Sequence, residues 1–291
     1  MIAAATLVIV LCVPRVSGAW GLEAHQFIMD QAIGLLPPEI RPFFEAHRAE
    51  LVERVVDPDT WKTAGFSEDP HHFLDIDWDG FGAYPFAALP RDYSAAVQKF
   101  GADRIRQMGL LPWRTEEFHG SLRRAFERYP SAGPFGRFDV IYFSAWLSHY
   151  ASDANQPLHG VVNYDGQLTG QRGVHVRFEA KLFERYRSRL QIAPRPLPAI
   201  TDPRGFIFET VTEGTRAVPA ILKADADAIG TRDVYDTAYY DAFVTGVRPI
   251  MEERLARSIA SVAAMITGAW EAAGRPAVPL SPAELIERRR R

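Results

Sequence analysis

With 291 residues, 47% of them hydrophobic and 24% charged, the chain has the balance of a globular protein with a packed core, which excludes general disorder. A formal net charge of −3 excludes a broad polyanion-binding field and leaves the terminal Arg288-Arg289-Arg290-Arg291 as a basic, solvated tail. The length allows one large domain or two ordinary ones, since cores divide beyond roughly 250 residues, and one domain is the expectation.

Residues 1–19 combine an apolar stretch of about a dozen residues with small residues at Ser17 and Ala19, the pattern of a signal peptide cleaved after Ala19. The stretch is too short to span a membrane, and the basic start of a typical signal is missing. A secreted or periplasmic protein of residues 20–291 is the expectation. The sole cysteine, Cys12, lies inside this segment. The mature chain would then hold neither disulfides nor thiolate ligands, leaving core burial and metal to stabilise it.

From Leu22 to Leu36, Ile28, Ala32, Leu35 and Leu36 fall on one helical face, and Pro37-Pro38 stops the helix. His25 stands one turn before Ile28. Residues 57–90 are rich in Asp, Gly, Pro and aromatics without a sustained period and read as a long structured loop with one short helical turn. Helical patterns follow at 91–108, 116–128 and 137–153, the last with Ile141, Ala145, His149 and Asp153 at four-residue spacing. A turn at Gln156-Pro157 precedes helices over 174–191, 206–225 and 235–273. Nothing alternates with a two-residue period for long. The fold class is therefore all-α, a single bundle-like domain with helices reaching to about 275.

His149 and Asp153, four apart on one helix, project from the same face and can grip one ion. His175 and Glu179 repeat the spacing on the next helix, and His159 sits at the turn between them. One such pair is more often a surface contact. Two pairs with a third histidine point to metal, and imidazole plus carboxylate suits zinc in a hydrolytic site. His47 and His119 have no partner at ligand spacing and read as helix-surface residues. Asp75, Asp77 and Asp79 are candidates to support the ligands, or simply an acidic loop; Trp78, Tyr84 and Phe86 either line a groove or pack.

The run His149-Tyr150-Ala151-Ser152-Asp153-Ala154-Asn155-Gln156-Pro157-Leu158-His159 resembles the His-x-x-x-Asp-x-x-x-Pro-x-His core of the zinc-dependent phospholipase C and fungal single-strand nuclease superfamily. His175-Val176-Arg177-Phe178-Glu179 is similar to the His-x-x-x-Glu of the phospholipases, whereas the spacing from Trp20 to His25 is like that of the nucleases. His72-Phe73-Leu74-Asp75 looks like the family's His-Phe-x-Asp, with His72 chosen over His71. In Val56-Asp57-Pro58-Asp59-Thr60-Trp61, Asp59 is favoured and Asp57 stays open.

The resemblance covers roughly residues 20–190 and implies three zinc ions. One would be held by Asp59, His72, His149 and Asp153, and a second by His159, His175 and Glu179. The third would take the Trp20 amine and carbonyl, with His25, and share Asp153. Asp59 and Asp153 carry the implied catalysis, with Asp59 orienting water or acting as general base. The implied activity is phosphodiester hydrolysis of the phospholipase C type, on a phospholipid head group and with contact to a membrane surface. The alternatives are a nuclease releasing 5′-phosphates from single-stranded nucleic acid and a non-catalytic periplasmic zinc-binding protein. No obligate protein partner is implied.

Overall fold

Helix is the only regular secondary structure among the described residues, 20–132 and 135–280 of a computed structural model. The expected signal segment with Cys12, and the arginine tail, lie outside them.

Helix α1 (Leu22–Ile33) ends at Gly34, ahead of the two prolines. Two short helices, α2 (Arg41–Ala46) and α3 (Arg48–Arg54), follow and meet at His47. The stretch expected to be mostly loop opens with α4 (Asp57–Thr63). Pro58 in its first turn lacks only an N–H that would be orphaned anyway, and Asp57 and Asp59 complement the positive end of the helix. Beyond it come single 3₁₀ turns at Asp69–His71 and Asp79–Phe81.

The region 91–108 is two helices, α5 (Tyr93–Phe100) and α6 (Ala102–Met108), because Gly101 at φ 85° breaks the run. Then come α7 (Leu111–Arg128), α8 (Gly136–Asp153), and a broken segment where one helix over 174–191 is predicted. That segment is α9 (Val174–Val176), a π-helical turn (Arg177–Lys181) and α10 (Leu182–Tyr186). Next, α11 (Pro203–Gly214) and α12 (Val218–Ile229) flank a 3₁₀ turn, and α13 (Thr237–Ala272) runs for 36 residues.

α13 is the axis, packing against α1, α7, α8 and α12. Every residue from Ser258 to Ile266 is buried, and most are Ala or Ser, so neighbours approach closely on all sides. α8 is buried without a break from Ser144 to Asp153. A helix enclosed all round is a core helix, and here its last turn is polar. No helix among the described residues is long and apolar enough to cross a membrane.

Two histidines depart from the surface reading. His119 on α7 is buried, its Nε2 donating to the Ile200 carbonyl at 3.1 Å and tying the segment before α11 to the bundle. His47 is half-buried against the Phe43 ring, 4.8 Å away. Both lack a ligand role, and their job is packing.

Candidate metal centre

The buried end of α8 is where the polar residues gather. Pro157 cannot continue the helix, and the residue before it, Gln156, turns extended at φ −80°, ψ 114°. Gln156 Oε1 accepts from Leu158 N–H, and the 3₁₀ turn Pro157–Gly160 swings His159 back toward Asp153. The loop after His72 is fastened to this turn, with Leu74 N–H donating to the His159 carbonyl at 2.9 Å and Ile76 N–H to the Gly160 carbonyl at 3.2 Å. Distant stretches of sequence thus converge on one carboxylate.

Asp153 Oδ2 lies 3.1 Å from His72 Nδ1 and 3.3 Å from His149 Nε2. Its other oxygen, Oδ1, lies 3.3 Å from His25 Nε2 and 3.7 Å from His159 Nδ1. Asp59 Oδ1 from α4 adds contacts of 3.7 Å to His72 and 4.0 Å to His149. On the far side, His175 Nε2 is 2.9 Å from Glu179 Oε2 and 3.0 Å from His159 Nε2. Three buried groups could each hold an ion: His25, His149 and Asp153; Asp59, His72 and His149; His159, His175 and Glu179.

Neighbouring groups orient these side chains. His149 Nδ1 faces the Val55 carbonyl at 2.9 Å, and since a carbonyl only accepts, Nδ1 holds the proton and Nε2 is aimed into the cluster. The Ser152 hydroxyl gives its proton to the carbonyls of Ser148 and His149, so its oxygen accepts from His25 Nδ1, 2.8 Å away. Gln156 Nε2 donates to Glu179 Oε2 at 3.0 Å.

A cation fits these groups. His25 Nε2 and Asp153 Oδ1 stand 3.3 Å apart, both buried and without a hydrogen bond, and burial, with His149, lowers the pKa of His25. An ion between them would bind both. Asp59 Oδ2, Asp153 Oδ1, Glu179 Oε1, His25 Nε2 and His159 Nδ1 are buried without a hydrogen bond, and buried groups of this kind are rare unless a ligand takes them. Burial would raise the carboxyl pKa values. Even so, His149 and His159 hold Asp153 well below the usual range, and His175 and His159 hold Glu179 down at about 2. Burial lowers His72 to about 4, keeping it a neutral ligand.

Trp20 is fully buried, its indole Nε1 donating to the Ser152 carbonyl at 3.0 Å and its ring against Phe178. Asp57 pairs instead with Arg54 at 3.4 Å, and His71 with Glu68 at 3.2 Å, so both stand outside the cluster. Trp78 packs on Phe81 and Phe100. Tyr84 and Phe86 line a separate groove with Arg91 and Phe208, and not the cavity beside the cluster.

That cavity, of about 260 Å³, is lined by His72, His159 and His175 together with Phe73, Tyr164 and Asp75. Sequence reasoning missed Lys62, which also lines it and approaches Asp59 Oδ1 at 3.2 Å. The signal was the three-residue Asp59-to-Lys62 spacing, invisible while this stretch read as loop. The chain matches no family profile and no curated protein.

Proposed function

We propose that the protein is a zinc-dependent phosphodiesterase of the phospholipase C and single-strand nuclease superfamily. The observation that carries this reading is the single carboxylate, Asp153, shared by four imidazoles from separate parts of the chain, with Asp59 and Glu179 completing adjacent groups. A lone structural zinc needs four ligands and a closed shell. This cluster has more ligands than one ion uses, and it borders an open cavity.

Asp59, His72, His149 and Asp153 would hold one ion, His159, His175 and Glu179 a second, and His25 with Asp153 and the Trp20 terminus a third. When bound, zinc supplies Lewis acidity toward phosphate oxygens and a lowered pKa for water. The chain's own groups do the rest. Asp59, whose Oδ1 faces Lys62 at 3.2 Å, can orient the attacking water and take its proton. Lys62 puts a positive charge at the cavity wall to meet the phosphate. Asp75, pushed up to about 8 by burial and by Asp77, stays protonated at neutral pH and can donate a hydrogen bond to a neutral acceptor.

Phospholipase C-type cleavage of a lipid head group is the first reading for the substrate. Single-stranded nucleic acid is the second, favoured by the cavity wall itself. Phe73 and Tyr164 line it with aromatic rings on which a base could stack, and Asp75 and Gln107 line it with groups that could hydrogen-bond the base. Both readings imply export, matching the expected signal segment.

The test is one assay series on zinc-loaded protein, using bis-nitrophenyl phosphate, single-stranded DNA and phosphatidylcholine. Turnover of the artificial diester supports the class, and the better natural substrate selects between the readings. Tight zinc binding with no turnover of any of the three would make the protein a zinc carrier and defeat the proposal.

A further inference from the structure

The described residues beyond 200 supply no ligand to the cluster, yet the side chains of Asp225, Tyr235 and Tyr239 contact the segment that carries His175 and Glu179. Arg177 lies between those residues in sequence and is buried. Its Nε and Nη2 donate to Asp225 Oδ1 on α12 at 3.1 and 2.9 Å, and Nε also reaches the Tyr239 hydroxyl on α13 at 2.9 Å. Nη1 and Nη2 donate to the carbonyls of Arg172 and Gln171 at 2.8 and 3.1 Å. Tyr239 donates to the same Asp225 oxygen, and Gln171 Nε2 donates to Oδ2 at 2.8 Å. Both carboxylate oxygens are therefore engaged, and the guanidinium stacks 4.0 Å from the centre of the Tyr235 ring.

The ligand segment needs an external hold. α9 has three residues, the π-helical turn five and α10 five. None is long enough to be stable as an isolated helix, and π-turns are rare. Gly173, which opens the segment at φ 87°, is constrained by the same guanidinium: a Cβ there would stand 2.8 Å from Arg177 Nη1. On the other face, Gln156 fixes only Glu179. The side chain two residues from each, Arg177, ties the stretch between His175 and Glu179 to α12 and α13.

We propose that Arg177, Asp225 and Tyr239 are positioning residues that set His175 and Glu179 at ion-binding distance, so that α12 and α13 control the affinity of the ion site completed by His159. The proposal rests on reading that group as a metal site. A matched comparison exists in Arg254, which is buried and forms two hydrogen bonds to Glu213, at 2.7 and 2.8 Å, joining α13 to α11 without touching the ligand segment.

The experiment titrates purified metal-free protein with zinc against a chromophoric chelator, counts bound ions by native mass spectrometry and records the thermal midpoint of the metal-free form. Wild type is expected to hold three ions. Arg177→Met and Asp225→Ala should keep two at wild-type affinity and weaken one at least tenfold, whereas Arg254→Met should lower the midpoint and keep all three. Tyr239→Phe, which leaves the Arg177–Asp225 pair in place, should weaken the same single ion by a smaller factor, and it decides the matter if Asp225→Ala does not fold. Three ions at wild-type affinity in Arg177→Met would overturn the proposal. So would a uniform weakening of every ion in step with the midpoint. Failure of wild type to bind zinc would instead remove the metal reading, and this proposal with it.

Discussion

Asp153 presents one oxygen to His25 and His159 and the other to His72 and His149, an arrangement in which a single carboxylate could serve more than one ion. Asp153→Asn is expected to remove more than one zinc per chain, counted by elemental analysis, while Asp57→Asn leaves the count unchanged because Asp57 pairs with Arg54 outside the cluster. Loss of one ion or none in Asp153→Asn would end the shared-ligand assignment. Beside the cluster, Glu68 accepts from Tyr150 and Arg114 and faces His71. Burial pushes its pKa up, but His71, Tyr150 and Arg114 outweigh burial and hold it at about 2, below the ordinary 4.5. A carboxylate depressed in this way stabilises the fold above its unfolded pKa, and the contribution is lost as pH falls from 4.5 toward 2. Glu68→Gln should therefore flatten that limb of the stability–pH curve measured by chemical denaturation. An unchanged acid limb would rule the ion pair out as its source.

Among the elements, the start of α1 and the π-helical turn are in close contact near the site. A Cβ on Gly21 would stand 2.6 Å from Ala180 Cβ and 2.9 Å from its Cα, so only glycine lets Trp20 and His25 seat against the turn that carries Glu179. Gly21→Ala should cost about 1–3 kcal/mol, as overpacking does. Adding Ala180→Gly should recover part of it, since one of the two clashing atoms is removed. Equal stability of Gly21→Ala and wild type in urea would show that the turn yields freely. These elements also show where periodicity fails as a guide. α4 was hidden because Asp57, Pro58 and Asp59 look like loop residues, although all three suit a helix N-terminus. The break after α9 was hidden because His175 and Glu179 keep four-residue spacing through the π-turn.

At the scale of the whole molecule, the bundle encloses the three carboxylates of the cluster, Asp59, Asp153 and Glu179, each almost fully buried. Buried anions without balancing cations are costly, so bound zinc should contribute to folding itself. An ion present at a hundred times its dissociation constant adds ~2.7 kcal/mol. A strong chelator is therefore expected to lower the thermal midpoint by several degrees and stoichiometric zinc to restore it. A midpoint indifferent to chelator would mean that no ion is bound at that strength.

Composition and periodicity were enough for an all-α domain, for the helix that ends in Asp153, and for the paired spacings of His149 with Asp153 and His175 with Glu179. Those features are local, since a helix brings residues four apart onto one face wherever it sits. Choosing Asp59 and His72 over Asp57 and His71 was open to motif likeness, but their place beside Asp153 was not, because it depends on how the loop after His72 fastens to the turn at His159. Only the tertiary structure could place Lys62 at the cavity, bury His119 and bring Asp225 and Tyr239 onto Arg177, 48 and 62 residues away along the chain. Contacts of that range leave no period in the sequence, since they are made by the packing of α12 and α13 and not by the spacing of residues along either helix.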